Sequence, residues 1–152
     1  MAHQNTHQAT AIEMLKAEHR QVKQLFQQYE RAKSRLTKQA IAAQACATLE
    51  MHTYLEETIF YPVFEYAADT AEAIYVEEAF QEHQAVKDLL EELEDTANAE
   101  FDAIFRALRT RIEAHMQDEE QRMFPKAEEI LAEHMEKLTE AMRRCKQQLI
   151  AS

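Results

Sequence analysis

Four of the seven histidines in this 152-residue chain stand in a repeated pattern with glutamate. The stretch EHRQVKQLFQQYE over Glu18–Glu30 lines up with EHQAVKDLLEELE over Glu82–Glu94, sharing Glu, His, Val, Lys, Leu and Glu at matching places. LEMHTYLEETIFYP over Leu49–Pro62 lines up with IEAHMQDEEQRMFP over Ile112–Pro125, and even the two prolines are equivalent. Each half therefore offers one histidine, His19 or His83, followed by a His-x-x-x-Glu unit, His52 with Glu56 or His115 with Glu119. Self-similarity of this kind marks a duplicated supersecondary unit. On a helix, residues i and i+4 share a face about 6 Å apart, so each His–Glu pair can converge on one point.

Imidazole and carboxylate donors without a thiolate suit iron, manganese or zinc. Two equivalent donor sets suggest two ions. If both glutamates bridge, each ion receives two imidazoles and two carboxylate oxygens, which leaves the open positions characteristic of reactive sites. A single histidine on an apolar face is ordinarily held by hydrogen bonds alone. Here six polar residues interrupt apolar stripes in register, and burying two carboxylates costs several kcal/mol apiece unless positive charge compensates them. That combination favours metal. Other helical metal motifs fail: no histidine follows a Glu by three residues, and none directly precedes a Glu.

The elements that position these residues must be helices. The chain has no glycine and only two prolines, so hairpins and phosphate-cradling loops lose their usual residue. Apolar side chains recur at helical spacing in four segments. The first carries Ile12, Leu15, Val22, Phe26 and Tyr29, and the second Ile41, Ala45, Leu49, Ile59 and Val63. A third, after a cap at Asp69 or Thr70, carries Val76, Phe80, Val86, Leu90 and Leu93. The fourth follows Asn98 with Phe101, Ile104, Phe105, Leu108 and Ile112. Short polar breaks near 34–38, 67–70 and 95–98 suit antiparallel neighbours. A further helical stretch over 126–149 follows Pro125. The expected fold is all-α: an up-and-down antiparallel four-helix bundle over residues 10–150 with a short C-terminal helical extension, preceded by a disordered tail over 1–9.

Composition removes several function classes. Acidic residues outnumber basic ones 28 to 17, a formal charge of −11, which opposes nucleic-acid binding. No apolar run approaches the roughly 20 residues of a membrane span, and the polar start lacks a secretory layout, so a cytoplasmic location is expected. Cys46 and Cys145 are too few for a disulfide framework or a thiolate site.

The series His, His-x-x-x-Glu, His, His-x-x-x-Glu, with an aromatic-Pro after each glutamate, resembles the haemerythrin-like family, the HHE cation-binding domain. The resemblance covers about residues 10–150. It implies that His19 and His52 bind one iron, His83 and His115 the other, and Glu56 and Glu119 bridge them beside an oxo or hydroxo oxygen. One departure matters: respiratory haemerythrins carry a His-x-x-x-His on the third helix, whereas the positions four residues either side of His83 are Ala79 and Lys87. Tyr61, Glu57 and Lys87 are the candidate substitutes. Tyr61 differs from its repeat mate Phe124 by a hydroxyl, but on an ideal helix it points about 180° from His52 and reaches the metal only if Pro62 distorts the turn. A packing or interface role is the default for it. Glu57 and Glu120 are expected to be solvated or to support the ligands, and His3, His7 and His134 to be surface residues.

The function expected from this set is a non-haem diiron protein that reacts with small oxidants, decomposing hydrogen peroxide in catalase fashion. The alternative is binding, storage or sensing of O2, NO or iron without turnover. Open coordination disfavours a third, purely structural, role for the metal. The partner is a small molecule rather than nucleic acid or membrane.

Overall fold

The structure, a computed structural model, describes residues 8–96 and 98–152, the side chain of Asn98 excepted. The expected tail over 1–9, with His3 and His7, therefore falls almost wholly outside the described residues. Five helices follow in order, and no strand occurs among the described residues. Helix α1 spans Ala11–Arg31 and opens on a capping box, Thr10 accepting from the Glu13 N–H while the Glu13 carboxylate accepts from Thr10. Helix α2 begins at Arg35 after the Ser34 cap and runs as Arg35–Leu55, a wide turn over Glu56–Phe60, and Tyr61–Ala67. Helix α3, Thr70–Asp95, starts at the anticipated Asp69 cap, whose N–H donates to Glu72 at 3.2 Å. Helix α4 repeats the plan of α2 as Asn98–Asp118, a wide turn over Glu119–Met123, and Phe124–Ile130. A 3-10 turn over Ala132–His134 leads to α5, Met135–Ala151. The expected single stretch over 126–149 is thus divided: its first residues finish α4, and only the rest forms the extension.

The wide turns have a local cause. Proline supplies no N–H for the carbonyl four residues back and crowds it, so the turn before Pro62 and Pro125 takes in one extra residue. Accordingly Tyr61 N–H donates to the Glu56 carbonyl, and Phe124 N–H to that of Glu119. One extra residue rotates everything downstream by about 100°. The expected stripe at Ile59 and Val63 is therefore displaced: Phe60, Tyr61 and Phe64 are buried instead. Phe80, expected in the core, is 41% exposed.

The core forms two apolar clusters. One gathers Leu15, Leu55, Phe60, Phe64, Val76 and Phe124; the other gathers Val22, Phe26, Leu49, Val86, Phe105 and Ile112. Helices α1 and α3 pass from the first cluster to the second, and α2 and α4 pass back. Between the clusters each of the four helices contributes polar residues, so the candidate site is a polar layer inside a hydrophobic sandwich. Helix α5 packs on α1 and α2, puts Leu138 and Met142 into the first cluster, and accepts the Ala11 N–H on Thr139 Oγ1 at 2.8 Å.

Candidate metal centre

The helices bring His19, His52, Glu56, His83, His115 and Glu119 into one layer, none of them more than 4% exposed. They form two overlapping sets, His19–His52–Glu56–Glu119 and Glu56–His83–His115–Glu119, each with donor atoms within 4.8 Å of one another. The glutamates belong to both. Glu56 Oε2 lies 3.3 Å from His52 Nε2 and Oε1 lies 3.1 Å from His83 Nε2. Glu119 Oε1 lies 3.2 Å from His19 Nε2 and Oε2 lies 3.5 Å from His115 Nε2. Each carboxylate thus spans the gap between the two histidine pairs, one oxygen toward each.

Protons settle what the histidines can do. Three of the four turn Nδ1 outward onto a carboxylate in a 2.7 Å hydrogen bond, His19 to Glu120, His52 to Glu18 and His83 to Glu57, while His115 Nδ1 lies 3.3 Å from Glu82 without an aligned hydrogen bond. An ionised carboxylate only accepts, so Nδ1 of His19, His52 and His83 carries the hydrogen and Nε2 of each such ring, when neutral, is a bare lone pair. The inward Nε2 atoms face each other, His19 against His52 at 3.1 Å and His83 against His115 at 3.0 Å. The His19–His52 pair, both rings held at Nδ1, needs a cation between its members, a proton or a metal ion, and the His83–His115 pair presents its nitrogens in the same way.

Two observations favour metal as the fitting occupant. Glu56 Oε2 and Glu119 Oε1 are buried without an aligned hydrogen bond, although an imidazole nitrogen stands within ion-pair distance of each. Those oxygens point with the nitrogens toward shared spaces rather than at individual partners. Two donors about 2.1 Å from one ion at a right angle would stand about 3.0 Å apart, the separation seen in both pairs. In the metal-free protein protons take these places. Burial would lower the His52 pKa, but the Glu56 charge and the Glu18 hydrogen bond outweigh it and push it up to about 10. His115 is held well above the usual histidine range, burial again being outweighed by Glu119. Glu119 is held well below the carboxylate range by its imidazole neighbours despite burial.

Tyr61 is where the ideal-helix expectation fails. The wide turn before it swings the ring into the centre, so the default packing or interface role gives way to a buried hydroxyl among the donors. Its Oη donates to Glu119 Oε2 in a short contact, and lies 3.1 Å from Glu56 Oε1 and 3.2 Å from His83 Nε2. Burial, with both carboxylates adding to it, raises the phenol pKa well above 10. The repeat mate Phe124 swings in likewise and stacks on His19, ring centroids 5.7 Å apart. The layer is thus asymmetric: a phenol on the His83–His115 side, a hydrocarbon ring on the other.

The other substitutes stay outside. Glu57 bonds His83 Nδ1 and is itself held by Lys87 at 2.7 Å, while Lys87 remains half exposed. Glu57 and Glu120 thus support the histidines, and His134 is exposed. Sequence reading overlooked Glu18, Glu82 and Lys146. The first two were marked, since Glu precedes the first-helix histidine in both halves; Lys146 has no repeat mate and gave no signal.

The model of the Hemerythrin HHE cation binding domain matches residues 10–127 and 75–152. Among curated proteins, none matches the chain by sequence at a significant level. The fold is similar to the crystal structure of a Hemerythrin HHE cation binding domain-containing protein from Mycobacterium kansasii, at TM-score 0.78 and 26% identity over 93% of this chain and 87% of that one. With a buried His/Glu cluster able to hold metal at its centre, this chain belongs to the hemerythrin HHE cation-binding family.

Proposed function

We propose that the chain is a non-haem diiron protein that disproportionates hydrogen peroxide. His19 and His52 would hold one iron and His83 and His115 the other, with Glu56 and Glu119 shared between the two sets and Tyr61 the candidate further donor beside His83. One observation carries this reading: two pairs of inward-facing imidazole nitrogens, 3.1 and 3.0 Å apart, share two buried carboxylates. The bundle we infer is up-and-down and antiparallel, supported by the alternating passage of α1 to α4 between the two core clusters. A cytoplasmic setting belongs to the same proposal; both thiols are free.

Bound iron supplies the redox change, in which two peroxide molecules yield one dioxygen and two waters. The chain's own residues do the rest. Glu18, Glu57 and Glu120 accept from Nδ1 of His52, His83 and His19 and so turn each Nε2 toward the centre, and Glu82 faces His115 Nδ1 at 3.3 Å. The two bridging carboxylates supply negative charge where no water competes. Phe124 and Phe60, with ring centroids 5.7 Å apart, wall the His19 side with hydrocarbon. Without metal Tyr61 keeps its proton at Oη on Glu119, and as a donor to iron it would give that proton up.

The test is to load the protein with ferrous iron anaerobically, count metal, then add peroxide and follow oxygen release. Two irons per chain and one oxygen per two peroxides are expected. One ion or none in iron-loaded protein would remove the diiron reading. A second reading, binding of O2 or NO without turnover, is favoured by the seclusion of the six residues. A long-lived reversible oxygen adduct without peroxide loss would select it.

A further inference from the structure

Helix α5 reaches the centre at one point. Lys146 Nζ donates to Glu18 Oε2 at 2.7 Å, and Glu18 Oε1 accepts from His52 Nδ1 at 2.7 Å. Three helices, α5, α1 and α2, are joined through these three side chains. Exposure falls steeply along the series, from 33% for the Lys146 side chain to 6% for Glu18 and 4% for His52.

The internal repeat makes the contribution of Lys146 visible. Glu82 occupies the position of Glu18 in the second half and faces His115 as Glu18 faces His52. Yet its side chain is 38% exposed and its oxygen stands 3.3 Å from His115 Nδ1. Among the described residues no lysine stands on Glu82 as Lys146 does on Glu18. A longer, wetter contact is what a carboxylate adopts when water competes for its oxygens. Glu18 has the same opportunity, because a groove of about 270 Å³ lined by Gln21, Gln44, Met51 and Lys146 opens beside it. The ammonium offers Glu18 Oε2 a charge-assisted bond that favours the inward rotamer over the groove.

We propose that Lys146 is a positioning residue: it holds Glu18 inward, and Glu18 fixes the His52 ring with Nε2 turned toward the centre. The C-terminal helix thereby tightens the His19–His52 side of the centre and leaves the His83–His115 side untouched. The affinity consequence rests on the metal-binding reading above; the ring-orientation consequence does not.

The test compares wild type with Lys146→Met, Lys146→Gln and Lys146→Arg, and with Lys16→Met as a control for lost surface charge. Lys16 pairs only loosely with exposed Glu128, at 3.9 Å. In metal-free, 15N-histidine-labelled protein, the His52 Nδ1–H signal should be resolved and slow to exchange in wild type. It should broaden or vanish in both neutral variants, persist in Lys146→Arg, and be unchanged in Lys16→Met. With Fe(II) alone, in anaerobic competition against a chelator, the neutral variants should bind one of the two ions about tenfold more weakly and the other normally, the low end of what orienting partners contribute. A protected His52 signal in the neutral variants overturns the proposal, as does equal weakening of both ions or an equal effect of Lys16→Met. If wild type takes up no Fe(II), the diiron reading falls, while the histidine signal still decides the role of Lys146.

Discussion

Replacing Tyr61 by Phe isolates the one hydroxyl that distinguishes the two halves of the centre. The change removes a single oxygen and leaves no cavity, and Phe124 already shows that a phenyl ring fits the equivalent place. What is lost is a hydrogen bond to the buried carboxylate of Glu119, backed by Glu56 at 3.1 Å. A bond to a charged group contributes about 1.5–3 kcal/mol, and in a domain of this size each kcal/mol moves the midpoint by about 2–4 °C. Metal-free Tyr61→Phe should therefore melt about 3–12 °C below wild type at neutral pH. Calorimetry of both proteins after exhaustive chelation measures it. In the iron-loaded pair, a phenolate-to-iron charge-transfer band should be present in wild type and absent in the variant. An unchanged or higher metal-free midpoint would refute this reasoning, since it would mean that the hydroxyl brings Glu119 nothing that water or imidazole does not.

Three further outcomes follow from the same geometry. His52 has its folded pKa raised to about 10, above an unfolded value of about 6.5, so its contribution to metal-free stability is complete below about pH 6.5 and lost as pH rises through 10. Metal uptake at neutral pH should accordingly release protons, which calorimetry in buffers of differing ionisation enthalpy will count. Glu56→Ala should lose bound metal and destabilise the metal-free protein by about 3–5 kcal/mol, since it strands buried imidazolium partners, whereas exposed His134→Ala should alter neither; metal analysis and melting check both. Away from the centre, Tyr29 donates to Asp102 in a short contact that, set against the smaller burial effect, lowers the Asp102 pKa. That stabilisation is present above the usual aspartate pKa and lost as pH falls through the lowered one, so Tyr29→Phe should narrow the stability difference between about pH 6 and about pH 3 in acid unfolding.

The six central residues could be read from the sequence because duplication and helical period act together. His19 fills a gap in the stripe of α1 and His83 in that of α3, and the i, i+4 spacing aims each His–Glu pair at one point whatever the loops do. Helix composition was equally plain in a chain without glycine. The orienting carboxylates were harder. Glu18 and Glu82 sit one residue from a central histidine, and on a helix adjacent residues diverge by about 100°, so neither faces the histidine of its own helix. Each instead reaches the histidine of the next helix, a relation set by the distance between helix axes, which periodicity does not encode. Lys146 lies one step further away, on an element outside the repeat.

Tyr61 shows why a helical wheel fails where a helix is deformed. Nine residues at about 100° each place it opposite His52, but the turn widened before Pro62 adds one residue to the circuit and brings the ring round to the centre. The same proline in the second half turns Phe124 inward as well, so the wide turn belongs to the duplicated architecture rather than to one side chain. It does two things at once: Glu56 and Glu119 open these turns, and the rings that close them come to lie against the central side chains they follow. A duplicated backbone thus presents equivalent inward positions in both halves, and a hydroxyl at one of them suffices to make the two sides chemically different. Inequivalence of the two ions would then arise from the pair Tyr61 and Phe124 rather than from the histidines. Exchanging the pair, as Tyr61→Phe with Phe124→Tyr, should carry the phenolate band to the other ion; a double variant with no band would show that the backbone positions are not interchangeable.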